Sequence, residues 1–342
     1  MARTSVTIKD VAREARVSVA TVSRALNGHE NVAESVRQQV LATADRLRYQ
    51  PHAAARSLSS RRTQTIGVVL PDLYGEFFSE LIRGIDQVAR ARRQHLLVSS
   101  YHGLPEEQGE ALRAMRGRVD GLLVLSPYTD QPGFLVDNLP SSLPVVLINT
   151  DVQEAAYPAL TIDNYSAAVA MVEHLVQAGH RRIAFIGGPE GNFDARERLR
   201  GYRDALARLA PEAPPQEFAG DFSETAGYEA GKRIAQAADR PQAVFAANDM
   251  MALGCLYAFN EAGVRVPQDI ALAGFDDIPL ARFVHPTLTT MRVSIAELGG
   301  QAMSRLLDTI DSDGERVAPS AMLVPELIVR ESSIGAVPRA KK

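Results

Sequence analysis

SVTIKDVAREARVSVATVSRALN, residues 5–27, is the stretch from which the rest of the chain can be read. Ile8, Val11, Ala12 and Ala15 recur at helical spacing. Thr7 stands where an N-cap is needed, and Asp10, three residues on, sits near the positive end of that helix's dipole. Ala15-Arg16-Val17 makes a turn, Ser18 is a second N-cap, and Val22, Ala25 and Leu26 give the next helix its apolar stripe. Two short helices joined by about three residues, with alanines where they cross, form a helix-turn-helix. A third helix over residues 33–49 completes the core with Val36, Val40, Leu41, Ala44 and Leu47.

Three-helix packing modules need not touch DNA, so the exposed face of the second helix decides. Val19, Ala20, Ser23 and Arg24 are the positions that a recognition helix turns into the major groove. Arg24 can donate two hydrogen bonds to guanine O6 and N7, while Val19 and Ala20 offer apolar contact to thymine methyls. Thr7, Ser18, Thr21, Ser23 and Asn27 suit phosphate oxygens, which position the helix without reading sequence. Charge agrees. Residues 1–62 hold eleven Lys and Arg against five Asp and Glu, leaving 26 against 36 in the remainder of a chain whose net charge is −4. A basic head on an acidic body is expected to meet a polyanion, here double-stranded DNA.

The 342 residues suggest two or three domains, and 46% hydrophobic with 23% charged residues excludes general disorder. Cys255 is the only cysteine, so neither an intramolecular disulfide nor a thiolate metal cluster can form within one chain. The N-terminus lacks the apolar segment of a secretory signal, and no apolar run approaches the 18 or so residues of a membrane span. The expectation is a soluble cytoplasmic protein with no membrane partner.

From Gln64 onward, β-rich apolar runs alternate with amphipathic helices, as in parallel sheets covered on both faces. Strands are expected at residues 66–70, 95–100, 121–126, 145–149 and 160–163, then at 183–187, 217–222, 244–248 and 270–275. Helices are expected at 77–93, 105–118, 194–209 and 225–237. The pattern predicts two α/β lobes, with a later helix at 295–310 and a strand near 322–329 returning across both. Ligands bind such sheets beyond the strand C-termini, and two facing lobes would enclose one in a cleft. Ser126, Asn149, Asp221-Phe222, Asn248-Asp249 and Asp276-Asp277 end strands in this way. Taken singly, each reads more readily as a helix N-cap, which is what Asp and Asn after a strand usually are.

Enzyme signatures are lacking: the chain has neither a G-x-x-x-x-G-K-[ST] phosphate loop nor a G-x-S-x-G elbow. The Gly187–Gly191 segment is interrupted by Pro189 and reads as a loop. The seven histidines lack metal-ligand spacing, so His174, His180 and His285 read as structural or surface residues, and Met250-Met251 reads as core. No cofactor, metal or catalytic residue is expected.

Thr7–Ala12, Val17-Ser18 and Thr21–Asn27, then Tyr49-Gln50-Pro51 and Ala55–Leu58, resemble the head of the lactose/galactose repressor (LacI–GalR) family. Ala195–Tyr202 (ARERLRGY), Ala246–Gly254 (AANDMMALG) and Ala273–Ile278 (AGFDDI) resemble its sensor. The resemblance implies an α/β chain with a helix-turn-helix head over residues 1–50 and a hinge helix and linker over 51–63. A two-lobed, periplasmic-binding-protein-like effector and dimerisation domain of doubly wound parallel sheets would span 64–330, with a tail at 331–342. It implies base reading by Val19, Ala20 and Arg24, DNA contacts from Tyr49, His52 and Ala55, and Leu58 wedged into the minor groove. It places Arg196, Asn248 and Asp276, with Phe77, Ser126, Asn149 and Phe222, at the effector.

Two departures stand out: Arg16 replaces the usual turn glycine, and His52 the usual asparagine after the hinge proline. Two heads on two half-sites imply a homodimer, and the leucine heptad of the family's tetramers is not found after the last strand. The expected function is a repressor of carbohydrate-utilisation genes released by a sugar inducer. A purine or other metabolite acting as co-repressor is the alternative; a sugar-binding protein or an α/β enzyme is more remote.

Overall fold

The computed structural model describes residues 6–26, 31–49, 62–128, 133–139, 143–150, 157–312 and 319–334. The chain divides into two compact units, residues 1–65 with 118–120, and the remainder.

In the first unit α1 spans Ile8–Glu14, α2 Val19–Leu26 and α3 Glu34–Arg46. Local hydrogen bonds set the helix starts. The Asp10 carboxylate accepts from the Thr7 backbone N–H at 3.0 Å and from its hydroxyl at 2.7 Å. Ser18 Oγ accepts from the Thr21 N–H at 3.0 Å, beginning α2. Val11, Ala12, Ala15, Val22, Ala25, Val40 and Ala44 form the buried core. Leu41, expected in that core, is instead 37% exposed. Val36, Val40, Ala44 and Leu47 already fill the inward face, and Leu41 lies about 100° around the helix from Val40.

Arg16 explains how the turn works. Its N–H bonds to the Arg13 carbonyl and the Val17 N–H to that of Ala12, closing α1 with a Schellman motif that requires a left-handed residue. Arg16 supplies it at φ 52°, and Arg48 does the same after α3, also at φ 52°. Left-handed backbone costs a non-glycine residue about 1–2 kcal/mol. Arg16→Gly is therefore expected to stabilise the head by about 0.5–1 kcal/mol, after allowing for glycine's greater unfolded freedom. Thermal melting of the two chains checks this, and an unchanged or lowered head transition would refute it. Asn27, His52, Ala55, Leu58 and most of the expected 51–63 hinge lie outside the described residues.

In the second unit the chain runs β1 (Thr65–Leu70), α4 (Glu76–Ala91), β2 (His95–Ser100), α5 (Pro105–Ala114), β3 (Gly121–Leu125), α6 (Phe134–Asn138), β4 (Val145–Ile148) and β5 (Ala159–Ile162). There follow α7 (Asn164–Gln177), β6 (Ile183–Ile186), α8 (Phe193–Leu209), β7 (Gln216–Phe218), α9 (Glu224–Gln236), β8 (Ala243–Ala246), α10 (Asp249–Glu261), β9 (Ala271–Asp276) and β10 (Thr289–Arg292). The chain then forms α11 (Ile295–Asp311), β11 (Ala321–Leu323), β12 (Glu326–Ile328) and α12 (Glu331–Ile334). Two sheets result, in the orders β11-β5-β4-β3-β1-β2 and β12-β10-β9-β8-β6-β7. β3 lies parallel to β1 with Val68 opposite Leu123, and β8 parallel to β6 with Phe185 opposite Phe245. β1, β3 and β8 are buried along nearly their whole length, because helices cover both faces.

The single strand expected near residues 322–329 is in fact two. β11 pairs in parallel with β5 in the first sheet, and β12 pairs antiparallel with β10 in the second. Only Val324 and Pro325 separate them, so this is a crossing between lobes. The chain crosses also between β5 and α7 and between β10 and α11, which packs on α4 of the first lobe. In both sheets the strand order reverses beside the first strand of the lobe, at β1/β3 and β6/β8, and ligands bind at such points. None of the described helices is long and apolar enough to cross a membrane.

Candidate functional site

On α2, Val22 and Ala25 turn inward and Val19, Ala20 and Arg24 are exposed, with Ser23 at their edge. At 100° per residue, positions 19, 20, 23 and 24 fall on one arc opposite the buried pair. Ser18 and Thr7 are exposed, and Thr21, half-buried, exchanges a 2.8 Å hydrogen bond with Ser18. Tyr49 is half-buried against the head core.

In the second unit a cavity of about 300 Å³ lies between the lobes at the strand C-termini. Pro71 and Asp72 follow β1 into it, Pro127 and Tyr128 follow β3, Asn248 follows β8, and Asp276 ends β9. The lobes meet around it. The Phe193 N–H donates to the Pro127 carbonyl at 2.8 Å, and the Tyr74 hydroxyl donates to Glu224 at 3.1 Å. Tyr74, Phe77, Phe78, Tyr128 and Phe222 supply aromatic surface, with Phe77 and Phe78 edge to face at 5.5 Å. Gly188 makes room for Phe222: a Cβ there would lie 2.5 Å from that ring.

Arg198, 3% exposed, is the cation of the wall. Its Nε donates to Asn164 at 2.8 Å, its Nη1 donates to the Ala247 carbonyl at 2.6 Å, and its Cζ lies 3.7 Å from the Phe275 ring centroid. Asp194 accepts from Asn164 at 2.7 Å and, from the other lobe, from Asn149 at 3.4 Å. Asp276 Oδ1 lies 3.6 Å from Arg198 Nη1 and, though buried, has no hydrogen-bond partner. Burial pushes the Asp276 carboxyl up to about 7; Arg198 pulls it down and Asp194 pushes it further up. Burial likewise raises Asp194, against the pull of Arg198. Asn149, Phe222 and Asp276 hold left-handed backbone at φ 44°, 72° and 111°. Such strain clusters where a fold must aim side chains at a ligand.

The residues expected at a ligand therefore divide. Phe77, Phe222, Asn248 and Asp276 line the cavity. Asn248 is also the N-cap of α10, accepting from the Met251 N–H at 2.9 Å while donating to the Phe222 carbonyl, so both readings of it hold together. Ser126 and Asn149 lie behind the wall; Ser126 accepts from Gln108 at 2.9 Å. Arg196 is a correction. It is exposed, donates to the Gly191 carbonyl at 3.3 Å and does not line the cavity; Arg198 does. Two residues apart on a helix means opposite sides, and Ala195, Arg198 and Tyr202 share the buried face. That spacing was the available signal for Arg198, and for Asp194 one turn before it. Tyr74, Tyr128 and Asp72 sit in loops and carried no periodic signal, whereas Asp221, singled out at an expected strand end, lines the cavity from the loop after β7. Met250, read as core, lines the cavity with 8% exposure.

Residues 7–52 match the family described as "Bacterial regulatory proteins, lacI family", and residues 172–333 match a "Periplasmic binding protein-like domain". Catabolite control protein A of Priestia megaterium is 36% identical over 90% of this chain and 95% of its own. The ribose operon repressor of Escherichia coli (strain K12) is 37% identical over 89% of this chain and 93% of its own. Among solved structures, the lac repressor dimer bound to operator and the anti-inducer ONPF has 30% identity and a TM-score of 0.85, covering 97% of this chain and 100% of that one. Head, cavity and these full-length likenesses agree: the chain belongs to the lacI family of bacterial regulatory proteins and is a ligand-responsive, DNA-binding regulator of transcription.

Proposed function

We propose that the protein is a homodimeric repressor of carbohydrate-utilisation genes, acting in the cytoplasm, which leaves a pseudo-palindromic operator when a sugar enters the cavity. The observation that carries this reading is the buried, unpartnered Asp276 oxygen facing a cleft walled by aromatic rings. A sugar supplies hydroxyl donors for the carboxylate and C–H faces for Phe77 and Phe222. A wrong ligand leaves the carboxylate unpaired, which gives selectivity. Arg198 and Asn248 complete the polar set, and the cavity binds its ligand without transforming it. Two half-sites related by a two-fold require two heads, and the lac repressor dimer, similar over the full length, is bound to an operator. In this reading residues 1–50 bind DNA, 51–63 are the hinge, 64–330 sense the effector and pair the subunits, and 331–342 form a tail. Ligand affinity that differs between two lobe arrangements shifts the population and alters operator affinity.

The test is selection of DNA from a random pool at fixed salt, since phosphate binding falls steeply with ionic strength. A palindrome released by a sugar supports the reading. A site formed only when a purine is added identifies a co-repressor instead. At the head, Arg24→Ala is expected to cost about 1–3 kcal/mol at one base position in each half-site. Titration of operators mutated one pair at a time checks this; a loss spread evenly over all sequences removes Arg24 from base reading.

A further inference from the structure

Thr63, the last residue of the segment read as hinge and linker, passes into β1 through a clasp closed by Asp120. Oδ1 of that carboxylate accepts from the Thr63 N–H at 2.6 Å and from the Thr63 hydroxyl at 2.9 Å, and Oδ2 accepts from the Gln64 N–H at 2.7 Å. The Asp120 N–H donates to the Thr65 carbonyl at 2.8 Å, and the Thr65 hydroxyl donates to the Thr63 carbonyl at 3.2 Å. Both carboxylate oxygens are engaged, by three donors on two consecutive residues. Hydrogen bonds to a charged acceptor are the strong ones.

Gln64, an exposed residue, holds left-handed backbone at φ 53°. Glutamine has no local preference for that region, as glycine or asparagine has. Such strain persists where surrounding groups over-determine it. Here that group is the Asp120 carboxylate, which grips the N–H of the turn residue and of the one before it. The clasp stands on a rigid base: beside it Ile66 pairs with Gly121, and β1 and β3 continue as buried, parallel strands. Neither Asp120 nor Gln64 lines the cavity.

Resting on the reading of the protein as a homodimeric, operator-binding repressor, we propose that Asp120 is a positioning residue for DNA binding. By holding the Gln64 turn it fixes the path on which the linker enters β1, and so sets operator affinity while touching neither operator nor effector. Specific binding needs both heads in register with two half-sites at once, so any freedom at the root of the linker must be given up each time the operator is bound. A linker fixed in advance avoids that loss. Attachment to phosphates alone has no register to satisfy.

The experiment titrates the full chain, at one salt concentration, against the operator recovered by selection and against a scrambled duplex of the same length. Asp120→Ala is expected to weaken operator binding by about 10- to 100-fold, the scale of refreezing one residue's backbone in one or both subunits, and to leave the scrambled duplex unchanged. Asp120→Asn keeps one acceptor oxygen for Thr63 and is expected to fall between. Gln64→Pro can neither adopt the turn nor offer an N–H, so it should reproduce the Asp120→Ala loss with Asp120 in place. The double variant should bind no more weakly than either single one. Should Asp120→Ala fail to fold by thermal melting, Gln64→Pro decides alone. Unchanged operator affinity in the folded variants overturns the proposal, as do equal losses on both duplexes, which would put the defect in the phosphate contacts of the head. A wild-type chain that prefers no DNA sequence overturns the repressor reading itself, and the proposal with it.

Discussion

Asp277→Ala is expected to destabilise the sensor by about 3–5 kcal/mol, the usual result of removing one partner from a buried ion pair. The Asp277 side chain is fully enclosed and gathers three guanidinium groups. Arg292 Nε donates at 2.7 Å, Arg330 Nη2 at 2.5 Å and Arg282 Nη2 at 3.2 Å. Arg292 ends β10 just before one crossing between lobes, and Arg330 follows β12 just after another. The carboxylate therefore ties together strand ends on which the lobe geometry depends. Without it, Arg330 and Arg292 keep only partial compensation, and alanine tolerates the φ of 54° less well than aspartate does.

Burial alone would raise the Asp277 pKa, but hydrogen bonds from Arg292 and Arg330, the Arg330 charge and the Arg282 hydrogen bond outweigh it and hold the group below 3.8. The stabilisation is thus present above that ordinary value and is lost as pH falls through the lower folded one. Urea unfolding at pH 7 should show the full difference between wild type and Asp277→Ala, and near pH 3 a smaller one. Equal stability at pH 7 would show that the clamp is ornamental.

Its neighbour should behave in the opposite way. Asp276→Asn is expected to stabilise the ligand-free protein while abolishing the response to ligand. The folded carboxyl titrates at about 7 against an ordinary 3.8, so native protein binds the extra proton between these values. Stability falls as pH rises across that window and levels off above it, by about 4 kcal/mol in all. Asparagine has no charge to bury, so its advantage is full above pH 7 and fades towards pH 4.

The groups facing Asp276 are Arg198, Asp194 and Asp249. The substitution also relieves Asp249, which burial and the Asp276 charge together raise well above its ordinary value. Ligand binding should lose about 2–5 kcal/mol, some 30-fold or more, because the charged acceptor is gone. Operator binding without ligand should remain. Melting curves at pH 8 and pH 5, with ligand-induced release of labelled operator, check both halves. A destabilised variant at pH 8 would show that burying the Asp276 charge costs nothing, and one still released would show that its carboxylate is not the ligand's acceptor.

The two neighbouring aspartates show how much was readable in advance. Their position after a strand marked both as ligand candidates or caps, and the AGFDDI resemblance selected Asp276. Nothing local distinguished a carboxylate left unpaired in a cleft from one held by three arginines. The arginine pair on α8 is the contrary case: helical phase separates Arg196 from Arg198 without any tertiary knowledge, and motif matching alone chose the wrong one. The dipeptide Val324-Pro325 looked like the middle of a strand, because residues flanking a lobe crossing keep strand-like composition on both sides.

By itself the sequence determined the head, its caps and its exposed reading face, and the alternation that makes two α/β lobes. These depend on contacts within one or two helical turns, or on the period of burial along a strand. Only the tertiary structure decided which polar groups share the cavity and which are matched elsewhere. Asp277 finds Arg292 and Arg330 from 15 and 53 residues away, and Tyr74 finds Glu224 from 150. Long-range pairing depends on how two sheets face one another, and no spacing along the chain encodes that.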